Sequence, residues 1–251
     1  MTNTAASSNP SKVILITGAS RGIGAFTATL LAQQGHTIII NYANNDQEAE
    51  NVVKKIQAVG GRVSAFKANI SDSNAVTQLF DYAIQTYGRL DVLINNAGIM
   101  RLNTIEQVDD ASIDQILAIN IKGPIYTMRE AAKRLAHGGK IINLSSSVVG
   151  LKPEGYGVYA ASKAAIESLT AILAKELRGK NITVNAIAPG PTTTELFLEG
   201  KSEELIAQLS KAAPLERLGT VQDIAAVLDF AVNTGSNWVN AQVLRVNGGI
   251  I

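Results

Sequence analysis

The sequence predicts a doubly wound α/β domain, one parallel seven-stranded sheet with helices on both faces. Three observations predict it. Short apolar runs alternate with longer amphipathic ones, the short runs are nearly continuous in Val, Ile and Leu, and a glycine-rich turn follows the first of them. Continuous apolar runs are what strands covered on both faces show. Strands joined by helices pair in parallel through right-handed crossovers, which puts helices on either side of the sheet.

The elements follow in order. Residues 1–11, small and polar around Pro10, read as a frayed leader, and 12–251 as the domain. Buried strands are expected at 13–17, 37–41, 62–66, 90–95, 140–144, 182–187 and 242–246. Helices are expected between them at 22–34, 46–58, 73–87, 110–135, 158–177 and 221–232, where apolar residues recur at three and four, as in Val52, Val53 and Ile56. The stretch 189–214 breaks this rhythm. Connections in such folds run about 2–6 residues, so an excursion of this size reads as a lid or substrate loop near 190–214, with a peripheral helical insert as the plainer alternative.

Composition narrows the function. The chain has 251 residues, enough for a sizeable core, and 22 Lys and Arg against 21 Asp and Glu. That balance argues against a nucleic-acid binder. The absence of cysteine excludes disulfides, zinc-thiolate sites and thiol catalysis, and two histidines predict no metal centre. No run reaches the roughly 20 apolar residues of a membrane span, and the polar start lacks a signal-peptide pattern. A cytoplasmic protein is expected.

The first strand runs straight into Gly18-Ala-Ser20-Arg21-Gly22-Ile23-Gly24, and a helix follows. Glycines allow close backbone approach there, and a helix N-terminus offers unpaired N–H groups to a pyrophosphate. On the first βα turn of a Rossmann-type sheet this spacing points to a dinucleotide rather than to tight packing alone. The second strand ends in Asn41-Tyr42-Ala43-Asn44-Asn45, with no carboxylate before Asp46. A carboxylate would bind the ribose 2′-hydroxyl of NAD and repel a 2′-phosphate, whereas amides and Arg21 suit the phosphate, so NADP(H) is favoured.

Two further segments fall at strand ends: Asn95-Asn96-Ala97-Gly98, and Asn143-Leu144-Ser145-Ser146-Ser147. Strand-end asparagines often serve turns, but three successive hydroxyls are harder to explain as packing. Tyr159-x3-Lys163 then opens a long helix, with phenol and ammonium on one face. A nearby ammonium stabilises a phenolate and draws its pKa down toward an acid–base range.

Together, Thr17-Gly18-x3-Gly22-x-Gly24, Asn95-Asn96-Ala97-Gly98, Asn120, the serine cluster, Tyr159-x3-Lys163 and Pro189-Gly190 resemble the short-chain dehydrogenase/reductases over about residues 12–251. Within that family the chain looks like NADP(H)-dependent ketoreductases of the trihydroxynaphthalene reductase and 3-oxoacyl-carrier-protein reductase type. The resemblance implies roles. Tyr159 would be the acid–base, Lys163 would bind the nicotinamide ribose and lower the tyrosine pKa, a serine would polarise the carbonyl, and Asn120 would hold a relay water. Asn69 and Ile70 would meet the adenine, with Asn69 where relatives carry Asp. Asn96, Ala97 and Gly98 would line the cofactor cleft, and Pro189, Gly190 and Thr192 or Thr194 would hold the carboxamide. Counting along the fifth strand points to Ser146 and the Ser-x-x-Gly spelling to Ser147. Register fixes side-chain direction more firmly than loop spelling, so Ser146 is preferred.

The expected activity is NADPH-dependent reduction of a ketone or aldehyde, with apolar walls from Met100, Val148, Leu151, Tyr156, Leu196 and Phe197 beside Ser147. A 3-oxoacyl-carrier-protein reductase is the alternative, although the arginines expected for it look here like His137 and Lys180. A non-catalytic cofactor-sensing protein is the alternative of another class, and the complete motif set argues against it. The apolar tail ending Ile250-Ile251, the edge position of the last strand and a second apolar set at Ile166, Leu169, Ile172 and Leu173 predict a homotetramer. The plainer alternative is a tail folded onto its own subunit.

Overall fold

The computed structural model describes residues 11–251, so most of the expected leader lies outside the described residues. Ser11 itself is held, its Oγ donating to Gly35 O at 2.8 Å. Seven parallel strands form one sheet: β1 Val13–Ile16, β2 Thr37–Tyr42, β3 Arg62–Lys67, β4 Val92–Asn95, β5 Lys140–Leu144, β6 Thr183–Pro189 and β7 Val243–Val246. Their order is β3-β2-β1-β4-β5-β6-β7. The order reverses between β1 and β4, which opens a crevice at the carboxyl ends of those strands.

Alternate strand residues serve opposite faces. Ile14, Ile16, Ile38, Ile40, Ile94 and Ile142 pack with Ala28 and Leu31 of α1 (Gly22–Gln33) and with Ile224 and Leu228 of α10 (Val221–Val232). α2 (Asp46–Ala58) completes that layer through Val52 and Ile56. Leu15, Ile39, Leu93 and Ile141 pack the other way. They meet Leu79 and Phe80 of α3 (Ser73–Tyr87), Met128 of α5 (Gly123–Arg134) and Ala174 of α7 (Gly157–Glu176). Each such buried Ile or Leu contributes about 1.5–3 kcal/mol of apolar burial.

Three expectations need correction. β3 and β7 are not buried strands: as the sheet's two outer edges they carry only exposed and half-buried residues. The helix expected at 110–135 is α4 (Asp110–Leu117) followed by α5, with a π-helical turn, Ala118–Lys122, between them. A π turn carries one extra residue per turn, and it marks functional positions more often than chance. Finally, the excursion contains helices, α8 (Glu195–Leu198) and α9 (Glu203–Ala212), and a short α6 (Val148–Leu151) follows the serines. Among the described residues no helix is long and apolar enough to cross a membrane.

Candidate active site

The glycine turn is bolted to the end of β4. Asn96 Nδ2 donates to Thr17 O at 2.9 Å and Gly18 O at 2.8 Å, while Thr17 Oγ1 accepts from the N–H groups of Asn96 and Ala97, both at 3.1 Å. Gly18 has φ +60°, and a Cβ there would lie 2.8 Å from Ala97 Cα, so no other residue fits. α1 starts directly after this turn with no side-chain cap on its N-terminus and no acidic residue in its first turn. By contrast α2, α3 and α4 are capped by Asn45, Asp72 and Asp109. Uncapped amides at Gly22, Ile23 and Gly24 beside a close-packed turn fit a pyrophosphate.

The end of β2 differs from expectation. Asn41 is buried, and its Nδ2 donates to Ala68 O at 2.9 Å and Phe66 O at 3.4 Å, so its amide ties β2 to the end of β3 instead of facing a 2′-phosphate. The Asn41 backbone carbonyl accepts from Ala19 N–H at 2.9 Å. Tyr42 donates its hydroxyl to Asp46 at 2.9 Å, and Ser20 Oγ lies 3.5 Å from Glu48. Ala43 and Asn44 are exposed on the loop above. The Arg21 guanidinium, also exposed, pairs with Glu195 of α8 at 3.2 Å, which spans the cleft mouth. Asn69, exposed, makes a local turn in which its Oδ1 accepts from Ser71 N–H and Ser71 Oγ at 3.0 and 2.9 Å. Ile70 is buried beneath Gly123.

The serine cluster divides its work. Ser145 Oγ donates to Glu167 Oε1 on α7 at 2.7 Å. Ser147 Oγ donates to Ala188 O at 3.2 Å and accepts from Asn247 Nδ2 at 3.0 Å. Ser146 is tied to none of those partners: its Oγ accepts from Val148 N–H at 3.4 Å, and it is the serine whose side chain acts on the Tyr159 phenol. Tyr159 is buried, and burial pushes its pKa up to about 12, with Ser146 opposing that rise and Tyr156 adding to it. Tyr156 stacks edge-on to Tyr159 with ring centroids 6.4 Å apart.

Lys163 sits beside the phenol ring, on the inner side of α7. Its Nζ lies 5.8 Å from the Tyr159 ring centre and donates to Leu144 O at 2.8 Å, and desolvation pulls its own pKa down to about 8. Burial dominates at Tyr159 and keeps the phenol protonated at neutral pH. Gly98 lies against both Asn120 and Lys163: a Cβ there would be 3.4 Å from Asn120 Oδ1 and 3.5 Å from Lys163 Nζ. Asn120, in the π turn, grips the Ile99 peptide at both ends, accepting from its N–H at 2.9 Å and donating to its oxygen at 2.8 Å. It also donates to Ser162 Oγ at 3.2 Å, which donates to Tyr159 O at 2.7 Å.

On the far wall, Gly190 N–H donates to Val246 O, and Thr192 Oγ1 donates to Gly190 O at 2.8 Å. Thr194 caps α8, its Oγ1 accepting from Phe197 N–H at 3.2 Å. Pro189 closes β6, and Leu196 and Phe197 ride on α8. Val148 and Leu151 lie on α6, directly after the serines. Sequence reasoning left Thr17, Ser162, Glu167 and Asn247 without a part in the site. Only Thr17 carried a signal, as the hydroxyl before the first glycine.

The profile of the family described as Enoyl-(Acyl carrier protein) reductase matches residues 18–251. A short-chain type dehydrogenase/reductase from Picea abies is 44% identical over 248 residues, covering 95% of this chain and 92% of its own. The chain belongs to the short-chain dehydrogenase/reductase family. Another member, the NADPH-dependent aldehyde reductase-like protein, chloroplastic, of Arabidopsis thaliana, is 39% identical across 96% of this chain and 94% of its own. Among solved members, a short chain dehydrogenase from Burkholderia cenocepacia J2315 in complex with NADP superposes with a TM-score of 0.90 at 34% identity, covering 96% of this chain and 97% of that one.

Proposed function

We propose that this short-chain dehydrogenase/reductase is an NADPH-dependent carbonyl reductase that converts a ketone or aldehyde to its alcohol, reversibly. The observation that carries the reading is the convergence of Ser146, Tyr159 and Lys163 at the carboxyl end of β5, one strand from the β4 end that anchors the glycine turn. The named relatives, an NADPH-dependent aldehyde reductase-like protein and an NADP complex, support NADP(H) as the cofactor.

The reduced nicotinamide supplies the hydride when bound. The chain's residues do the rest. The amides of Gly22, Ile23 and Gly24 hold the pyrophosphate, Arg21 with Asn44 meets the 2′-phosphate, and Lys163 holds the ribose hydroxyls. Ser146 donates to the substrate carbonyl oxygen and polarises it. Tyr159, protonated at neutral pH, gives its proton to that oxygen as negative charge develops there. Asn120 keeps the Ile99 peptide and the start of α7 in register for proton return. Val148, Leu151, Tyr156, Leu196 and Phe197 form an apolar wall suited to a substrate without a carboxylate.

NADPH oxidation followed at 340 nm with a panel of ketones and aldehydes tests the reading. Tyr159→Phe should retain less than about 1% of kcat while binding NADPH normally, since a general acid contributes about 10²–10⁴-fold. Activity confined to acyl thioesters, or undiminished in Tyr159→Phe, overturns it.

We further propose a homotetramer. Ile172 on α7, Phe230 on α10 and Trp238 after it are exposed, the last at 99%, so each face of the sheet and the C-terminal edge offers a large apolar group that a partner subunit could cover. The tail itself lies on its own subunit, where a Cβ on Gly150 of α6 would meet Ile251 Cδ1 at 2.5 Å. Light scattering should give four times the 26.5 kDa chain mass.

A further inference from the structure

Asn247 lies one residue past β7, outside every group given a chemical role, yet it touches the two segments that carry those roles. Its Nδ2 donates to Ser147 Oγ at 3.0 Å, and its Oδ1 accepts from Gly249 N–H at 3.0 Å. With both ends of the amide engaged, the side chain has one orientation. Ser147 passes the contact on, its hydroxyl donating to Ala188 O at 3.2 Å and its N–H to Pro189 O at 2.8 Å. Gly190 N–H donates to Val246 O at 2.9 Å, and a Cβ on Gly190 would lie 2.8 Å from Asn247 Cα. The ends of β5, β6 and β7 therefore meet at this asparagine.

We propose that Asn247 is a positioning residue for the reduction: by pinning Ser147 inward it fixes the serine turn and aims Ser146 Oγ at Tyr159. The inference rests on the proposed roles of Ser146 and Tyr159. Two observations separate it from simple packing. Ser147 opens α6 in helical backbone conformation, φ −62° and ψ −13°, and its hydroxyl is spent away from that helix, on Asn247 and on Ala188 O. In addition, Ser146 stands between two anchored neighbours, Ser145 on Glu167 and Ser147 on Asn247. With both sides held, the turn leaves Ser146 little freedom to rotate away from the phenol.

The test uses Asn247→Ala, Asn247→Asp, Ser147→Ala and the Asn247→Ala/Ser147→Ala pair in the full chain. For each, kcat, carbonyl KM, NADPH Kd by fluorescence, melting temperature and the pH profile of alcohol oxidation are measured. Asn247→Ala should lower kcat by about 10–100-fold, with KM and NADPH Kd within about threefold, because an aimed hydroxyl acts mainly in the transition state. Alcohol oxidation needs the phenolate, and Ser146 helps to stabilise it, so the pH limb for oxidation should move upward in Asn247→Ala and in Ser147→Ala. A purely structural role would lower the melting temperature and leave that limb in place, which overturns the proposal. Asn247→Asp, which still accepts from Gly249 and offers Ser147 an acceptor, should recover much of the rate.

The double variant should be no slower than the slower single one, since both cut the same contact, and multiplied losses overturn the proposal. Should Asn247→Ala not fold, Ser147→Ala breaks the contact from the other side, and an unchanged kcat and pH limb there are enough to reject it. Tyr159→Phe run in parallel separates the two readings. If it is active, the underlying mechanism fails. If it is inactive while Asn247→Ala and Ser147→Ala keep full rate, the positioning role alone fails.

Discussion

Asn95 and Asn143 face each other across the β4–β5 ladder, with Asn95 Nδ2 donating to Asn143 Oδ1 at 2.9 Å in the buried layer beneath the serine turn. Thr127 of α5 donates to Asn95 Oδ1 at 2.7 Å, and Asn143 Nδ2 donates to Thr170 of α7 at 2.9 Å. A satisfied polar chain thus locks two strand ends to the two helices that carry Thr127 and Tyr159.

Asn95→Ala strands the Asn143 oxygen and removes an acceptor from Thr127. Thr127 keeps Pro124 O as an acceptor, so one buried group is stranded and the expected loss is about 1–3 kcal/mol, read as a drop in urea midpoint at unchanged slope. Asn143→Ala should cost a similar amount, and the two losses should not add.

Ser146→Ala should cost at least about 100-fold in kcat, against about tenfold for Ser147→Ala, because only Ser146 meets Tyr159. Steady-state reduction of one good ketone by both variants decides the order. The reverse order would return the role to the Ser-x-x-Gly spelling.

Cofactor choice should follow Arg21 and not Asn41. Arg21→Ala removes a charge-assisted partner, expected to lower kcat/KM for NADPH about 10–100-fold and to leave NADH nearly unchanged. Asn41→Asp should instead lower the melting temperature, since it sets a buried carboxylate against the carbonyls of Phe66 and Ala68. Asn44→Asp, on the exposed loop, is the substitution that should penalise NADPH.

The pH dependence of reduction should follow Lys163. Its pKa is drawn down to about 8 by burial while Tyr159 stands near 12. Below about pH 8 the ammonium is charged, and above it the charge is lost with the phenol still protonated. Reduction kcat/KM should therefore fall as pH rises through about 8. A profile flat to pH 10 would contradict this.

The seven strands and most element bounds are legible because fully covered strands leave a run of branched residues, as in Val13–Ile16 and Lys140–Leu144, whereas the order of the strands across the sheet is not written in such runs. Edge strand β3 broke that rule, since Arg62, Ser64 and Lys67 belong to a strand with one neighbour. The π turn was invisible because Ala118-Ile-Asn-Ile-Lys122 reads as any helix does, and one extra residue per turn barely disturbs the apolar period. In the site, residue types were readable and directions were not. Asn41 was recognised as polar and strand-terminal, but its turn toward Ala68 depends on a β3 partner distant in sequence. The Tyr159 pKa is illegible for a related reason: the i,i+4 spacing gives proximity to Lys163, while burial, which spacing does not report, pushes the phenol up to about 12.

The excursion after β6 has a different consequence. It joins the scaffold through the Thr192–Gly219 bridge and touches the cleft through the exposed Arg21–Glu195 pair. The contacts that orient Ser145, Ser147, Asn120 and Lys163 run instead to α7, the β6 and β7 ends, the Ile99 peptide and Leu144. Substitutions on the exposed sides of α8 and α9 can therefore alter what this stretch presents at the cleft without touching the bonds that hold Ser145, Asn120 and Lys163. Its end at Ala213 and Pro214, packed on Gly248 and Gly249, is tied to the same corner as Asn247 and has no such freedom.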